Sequence, residues 1–200
     1  PYIIDFLLEM MNFCSQKQYD ILLFSSDDTD NVSYIGRCQE RKVDGAVIFG
    51  IRHEDPYFEE IKDSNIPVIL IDEPITGPKT SYVASYNERG AYQAVTHLIS
   101  HNHKKIIFMG GNKDYLVVKK RFAGYKKALT EKGLPLSEEF VLNAGFEKDI
   151  AYKKTSELLK KDIDFTAVFC VSDFMALGVI EALNDNGLNV PDNAQYKRHY

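Results

Sequence analysis

No stretch of 18 or so consecutive apolar residues occurs in this chain, which is the length a membrane-spanning helix needs. Nor does a charged, apolar, small-residue pattern open it as a signal peptide would. The second absence carries no weight, because the chain starts at "PYIIDFLLEMM" with no Met and no preceding strand. Positive charge is also in short supply: 24 Lys and Arg against 29 Asp and Glu give a formal net charge of -5. Phosphate binding requires a basic footprint, so nucleic-acid binding would need a separate basic module. Cysteine is sparse and odd in number, with only Cys14, Cys38 and Cys170. Their apolar or helical contexts fit reduced thiols in a cytosol, packed as small buried residues, better than a disulfide framework.

The signatures of chemistry are missing as well. His97, His101 and His103 include a helical four-residue spacing, but no Glu follows His97 to make HExxH, and no Cys or carboxylate cluster lies nearby. Histidines in a helix's last turn suit its dipole in any case. The Gly110-Gly111 pair after a strand is not a GxGxxG, no P-loop Lys-Ser/Thr follows, and neither a nucleophile elbow nor a spaced Ser/His/Asp set is found. The expectation is a protein with no metal, no cofactor and no catalysis.

What is present is the composition of a soluble globular protein, 44% hydrophobic and 26% charged over 200 residues, enough for one large domain or two small lobes. Apolar spacing over Ile3, Phe6, Leu7, Met10 and Cys14 predicts a helix, and "YDILLF" (Tyr19 to Phe24) a strand. Strands are then expected at Asp44 to Gly50, Ile66 to Asp72, "SYVASYN", "KIIFMGG", Phe140 to Asn143 and "TAVFCVS". Helices are expected in "NVSYIGRCQERK" and "PYFEEIKDSN", and over Asn87 to Ser100, Lys119 to Lys132, Lys148 to Lys160 and Phe174 to Asp185. This alternation implies right-handed βαβ crossovers and mostly parallel sheets covered on both faces. The rhythm breaks once, at "DEPITGPKTSYVAS". A boundary near Ser85 then gives lobes 1–85 and 86–200. The predicted fold is α/β, two doubly wound parallel-sheet lobes with a ligand cleft between them.

Ligands in such sheets sit beyond the carboxyl ends of the strands. Several strands here end on polar residues or glycine: Asp72, Gly50, Gly110 to Asn112, and Ser172 with Asp173. Each of these has a plainer reading as a turn or helix cap, above all Asp173 and Asn87. The repetition favours a shared site. Lys104 to Lys127 adds eight Lys or Arg against one acid, Asp114. That run reads as a solvated helix face, with a phosphorylated effector or an anionic partner protein as the alternative.

The segments "VASYNERGAYQAVTHLISHNHKKIIFMGG", "RFAGYKKALTEKGLPL" and "VSDFMALGVIEALNDNGLNVPD", with "QERKVDGAVIFG" earlier, resemble the effector-binding core of the LacI/GalR family of bacterial transcriptional regulators, in the right order and at similar spacing. The resemblance implies a periplasmic-binding-protein-like fold, a small-molecule effector (a sugar, sugar phosphate or purine-like compound), a homodimer and a cytoplasmic location without membrane contact. It implies operator DNA as a partner only through a headpiece that would lie upstream of Pro1. It also implies that the chain is a fragment, because "NAQYKRHY" does not resemble the family's continuation. An exported solute-binding protein of an ABC transporter, built on the same fold, is the alternative.

Carried over residue by residue, the resemblance assigns Arg121 in "RFAGY" to gripping effector hydroxyls or a carboxylate, Asp72 to the first lobe's polar strand exit, and Phe146 to stacking on a sugar or base. Ser172 stands where many members carry Asn before Asp173, and it lacks the amide's paired donor and acceptor. The chemistry is consistent with those roles: a planar guanidinium satisfies two oxygens, an aromatic face matches a pyranose or purine face, and short carboxylates orient hydroxyls. The competing readings are an exposed cation beside Lys119 and Lys120 for Arg121, and ordinary core packing for Phe146.

Overall fold

A computed structural model describes residues 2–24, 33–52, 55–161 and 163–191. The chain divides into two compact units, Pro1–Ser33 and Tyr34–Tyr200. In the first, helix α1 (Tyr2–Gln16) forms where the apolar spacing places it. Tyr19 to Phe24 forms no strand, contrary to expectation, and Tyr19, Leu22, Leu23 and Phe24 are exposed. An apolar β-prone run becomes a strand only when a neighbour completes its backbone ladder, and this run belongs to neither sheet.

The second unit holds two three-stranded parallel sheets. The first has the order β1 (Ala46–Phe49), β2 (Val68–Ile71), β3 (Thr80–Val83). Ile48, Val68 and Leu70 pack with Ile35 from α2 (Tyr34–Glu40) and Ile61 from α3 (Phe58–Lys62). Its other face was expected to be covered too, yet Val47, Ile69 and Val83 are exposed there. Asn31, Val32 and the tail 193–200, for which the sequence raised expectations, lie outside the described residues.

The second sheet has the order β5 (Val141–Asn143), β4 (Ile106–Gly110), β6 (Ala167–Cys170). Central β4 is buried along its whole length, which is why its sequence is apolar without alternation. Helices α4 (Asn87–Ser100) and α5 (Leu116–Glu131) pack on each other, as do α6 (Lys148–Lys160) and α7 (Asp173–Asp185). Each pair closes on a glycine. A Cβ on Gly124 would stand 2.2 Å from the Glu88 carbonyl oxygen, and one on Gly178 2.1 Å from that of Lys148. Two helical turns beyond each glycine an acid accepts a tyrosine hydroxyl: Tyr92 to Glu131 at 2.6 Å, Tyr152 to Asp185 at 2.9 Å. The same helix-pair joint is thus built twice. It aligns the starts of α5 and α7 beside the carboxyl ends of β4 and β6.

Candidate functional site at the strand exits

Chain direction in parallel strands puts every strand exit of a sheet on one edge, where side chains from different loops can converge. At that edge of the second sheet, Arg121 reaches out of α5's second turn. Its Nε–H donates to Asn87 Oδ1 at 2.8 Å, and one Nη1–H donates to the Val171 carbonyl just past β6. Burial lowers the guanidinium pKa, while the carboxylates of Asp72 and Asp173 act to raise it. Arg121 is therefore not a solvated member of the Lys119–Lys120 run. It is a half-buried cation held by Asn87 and the Val171 carbonyl and close enough to Asp72 and Asp173 to feel both carboxylates.

Asp72 leaves β2 in the first sheet, donates its backbone N–H to the Val83 carbonyl at 2.8 Å, and accepts from Asn87 Nδ2 and the Ser85 N–H, both at 3.4 Å. Its φ is +64°, and that of Phe146 is +67°. The other described non-glycine residues in this region, Gln18, Lys42 and Asn102, each follow a helix end, where such a turn is ordinary. At a strand exit the left-handed conformation costs about 1–2 kcal/mol and is a reason to look for function.

Phe146 sits past β5, two strands from Ser172 across β4, a span of about 10 Å. Its ring lies against Gly111, where a Cβ would come within 2.4 Å of it, and meets Tyr115 edge-on at 6.0 Å. The structure thus brings Arg121, Asp72 and Asp173 together and sets Phe146 apart on the same edge, half-buried against the core. Ser172 caps α7 by accepting the Met175 N–H at 3.3 Å. Capping therefore falls to Ser172 and not to Asp173, which is the exposed first helical residue.

Asn87 is the residue that sequence reasoning undervalued. It is not the cap of α4: Tyr86 holds that position without a side-chain bond, and Asn87 is 5% exposed. Its amide joins Asp72, the Ser85 carbonyl (3.2 Å) and Arg121. An Asn at the start of a helix, with no sign in the sequence that it would be buried, was the one signal the sequence offered. A groove of about 580 Å³ runs beside this cluster. It is lined by Tyr86, Arg89, Tyr92, Lys120 and Lys127, and touches the cluster through Ser85 and Asn87.

Cys170, at the end of β6, has its thiol pKa pushed up to about 12 by burial and, secondarily, by the Asp173 carboxylate. Both effects disfavour the thiolate, so the group stays a thiol as pH rises through the ordinary cysteine range. Alkylation of Cys170 by iodoacetamide at pH 8, followed by peptide mass spectrometry, should be on the order of 10³-fold slower than for an unperturbed thiol. Labelling at the ordinary rate would mean that β6 opens readily. The His97 and His101 rings lie tilted at 53° with centroids 4.4 Å apart, and the His101 ring Nδ1 pairs with the His97 carbonyl at 2.9 Å. Among the described residues no three His, Cys, Asp or Glu side chains converge as a metal ion would require.

A family model for periplasmic binding proteins and the sugar-binding domain of the LacI family matches residues 1–199. The HTH-type transcriptional repressor PurR of Actinobacillus pleuropneumoniae serotype 5b (strain L20) is 28% identical over 210 residues, covering 100% of this chain and 62% of its own length. Catabolite control protein A of Priestia megaterium is 32% identical over 181 residues, covering 89% and 54% respectively. A LacI-family regulatory protein from Chloroflexus aggregans superposes with a TM-score of 0.80 at 24% identity, covering 96% of this chain and 70% of its own, which shows the shared fold. The transcriptional regulator CelR in complex with cellobiose reaches 0.70 at 29% identity, covering 80% and 49%. The chain therefore spans little more than half the length of the curated relatives it matches, and the relatives named here are transcriptional regulators, not enzymes.

Proposed function

Since the chain belongs to the family of periplasmic binding proteins and LacI-type sugar-binding domains, we propose that it is the effector-binding part of a bacterial transcriptional regulator. Residues 1–85 and 86–200 are its two lobes. Effector binding shifts a population between lobe arrangements and so changes operator affinity in the intact protein. Operator DNA is met through a headpiece outside this chain, in a cytoplasmic homodimer. The names of the relatives favour this reading over an exported transporter component.

The observation that carries the ligand assignment is the Asn87 amide that joins Arg121 to Asp72, with the Asp173 carboxylate near enough to act on the same guanidinium. One cation facing two carboxylates is a poor receptor for a phosphate or carboxylate, which would meet net negative charge. It is a good receptor for neutral hydroxyls, which accept from the guanidinium and donate to the carboxylates at once. The effector is accordingly a neutral polyhydroxyl compound, with Phe146 offering its ring to the apolar face of a sugar. A thermal-shift panel of glucose, cellobiose, maltose, glucose 6-phosphate and hypoxanthine tests this. A neutral saccharide at about 100 times its Kd should add roughly 2.7 kcal/mol to the folded state. Stabilisation by the phosphate ester or the purine alone would refute the assignment.

A further inference from the structure

Asn87 uses both ends of one amide on charged groups from different elements, Arg121 of α5 and Asp72 at the exit of β2. Its oxygen accepts the Arg121 Nε–H at 2.8 Å, and its Nδ2 donates to Asp72 Oδ1 at 3.4 Å and to the Ser85 carbonyl at 3.2 Å. A flipped amide would aim NH2 at a guanidinium and a carbonyl at a carboxylate, so the two charges lock a single orientation. The side chain is buried, so water does not substitute for either partner at low cost. On one side the lock continues through Asp72 N–H to Val83 in β3, and on the other through Arg121 to the Val171 carbonyl at the end of β6.

We propose that Asn87 is the positioning residue of this site. It fixes the Nε edge of Arg121, as the Val171 carbonyl fixes Nη1, so that the remaining guanidinium N–H groups face the ligand, and it passes a change at Arg121 to Asp72 and hence to the first sheet. When a ligand draws Arg121 away, the Asn87 oxygen loses its donor, the amide is freed to turn, and the contact holding Asp72 loosens. That makes a two-state element biased from one side and read from the other. Its functional meaning rests on Arg121 being a ligand-binding residue, but the linkage itself exists without ligand.

The test is therefore ligand-free, by NMR on this chain. It follows the Arg121 side-chain Nε–H and the backbone amides of Asp72 and Ser85 in wild type, Asn87→Leu, Asn87→Asp, Arg121→Lys, and Arg121→Lys in each Asn87 background. Nε–H exchange should accelerate about tenfold in Asn87→Leu, the worth of one lost hydrogen bond, and stay slow in Asn87→Asp, which keeps the oxygen. Arg121→Lys should move the Asp72 and Ser85 signals in the wild-type background but leave them still when Asn87 is Leu. A purely structural Asn87 would not produce that second difference. Wild-type Nε–H protection in Asn87→Leu, or an undiminished response of Asp72 to Arg121→Lys there, overturns the proposal. If Asn87→Leu does not fold, Asn87→Asp decides the matter: it lacks the NH2 donor, so Nε–H protection must persist while the Asp72 response to Arg121→Lys disappears. An empty saccharide screen would leave all of these readouts intact, so the two ideas fail separately.

Discussion

Arg121→Ala is expected to lose roughly 10- to 150-fold in affinity for the saccharide that most stabilises the protein, about 1.5–3 kcal/mol for a charge-assisted contact in a partly desolvated cleft. Arg121→Lys should recover little, because an ammonium keeps the charge but not the fork that Asn87 and Val171 hold in place. Stability should fall as well, by on the order of 1–3 kcal/mol, since both substitutions affect donors to acceptors that are shielded from water. Titration calorimetry with urea unfolding in parallel separates the two effects. Wild-type affinity in a folded Arg121→Ala variant would remove Arg121 from the site. With it would go the argument that Asp72 and Asp173 select a neutral ligand.

The largest effect on folding should come from the two glycines that close the helix pairs. Gly124→Ala puts a methyl 2.2 Å from the Glu88 carbonyl oxygen and 2.8 Å from the Tyr92 backbone nitrogen. Gly178→Ala meets the Lys148 carbonyl oxygen at 2.1 Å. These are backbone atoms inside helices, so neither contact is relieved by turning a side chain; the helices must separate. Each substitution is expected to cost about 3 kcal/mol, the upper end of ordinary overpacking, despite Ala's better helix propensity. The Tyr92–Glu131 and Tyr152–Asp185 bonds should break along with the joint. Urea melts of the two variants measure this, with Gly90→Ala as a control, because nothing lies within 4 Å of a Cβ there. Equal stability in all three would mean that the helix pairs are looser than the backbone distances imply.

The alternation of apolar runs with amphipathic stretches determined the succession of strands and helices, because burial period depends on local geometry and is written directly into residue spacing. Helices α4 and α6 fall on the expected spans, Asn87 to Ser100 and Lys148 to Lys160, and α7 begins one residue earlier than expected. The resemblance in "RFAGY" and "VSD" is what points to Arg121, Ser172 and Asp173 from the sequence. Only the tertiary structure could decide what those residues touch. Tyr19 to Phe24 has every local mark of a strand, yet a strand is a property of two segments, and this run is in neither sheet. Ser172, and not Asp173, caps α7, a difference of one residue that depends on backbone angles. Asn87 looks like any helix-start asparagine until Asp72 and Arg121, 15 residues before it and 34 after, are folded against its two ends. Hydrogen bonds between distant residues leave no period in a sequence, and the charge balance of a site is set by which carboxylates fold up beside the cation.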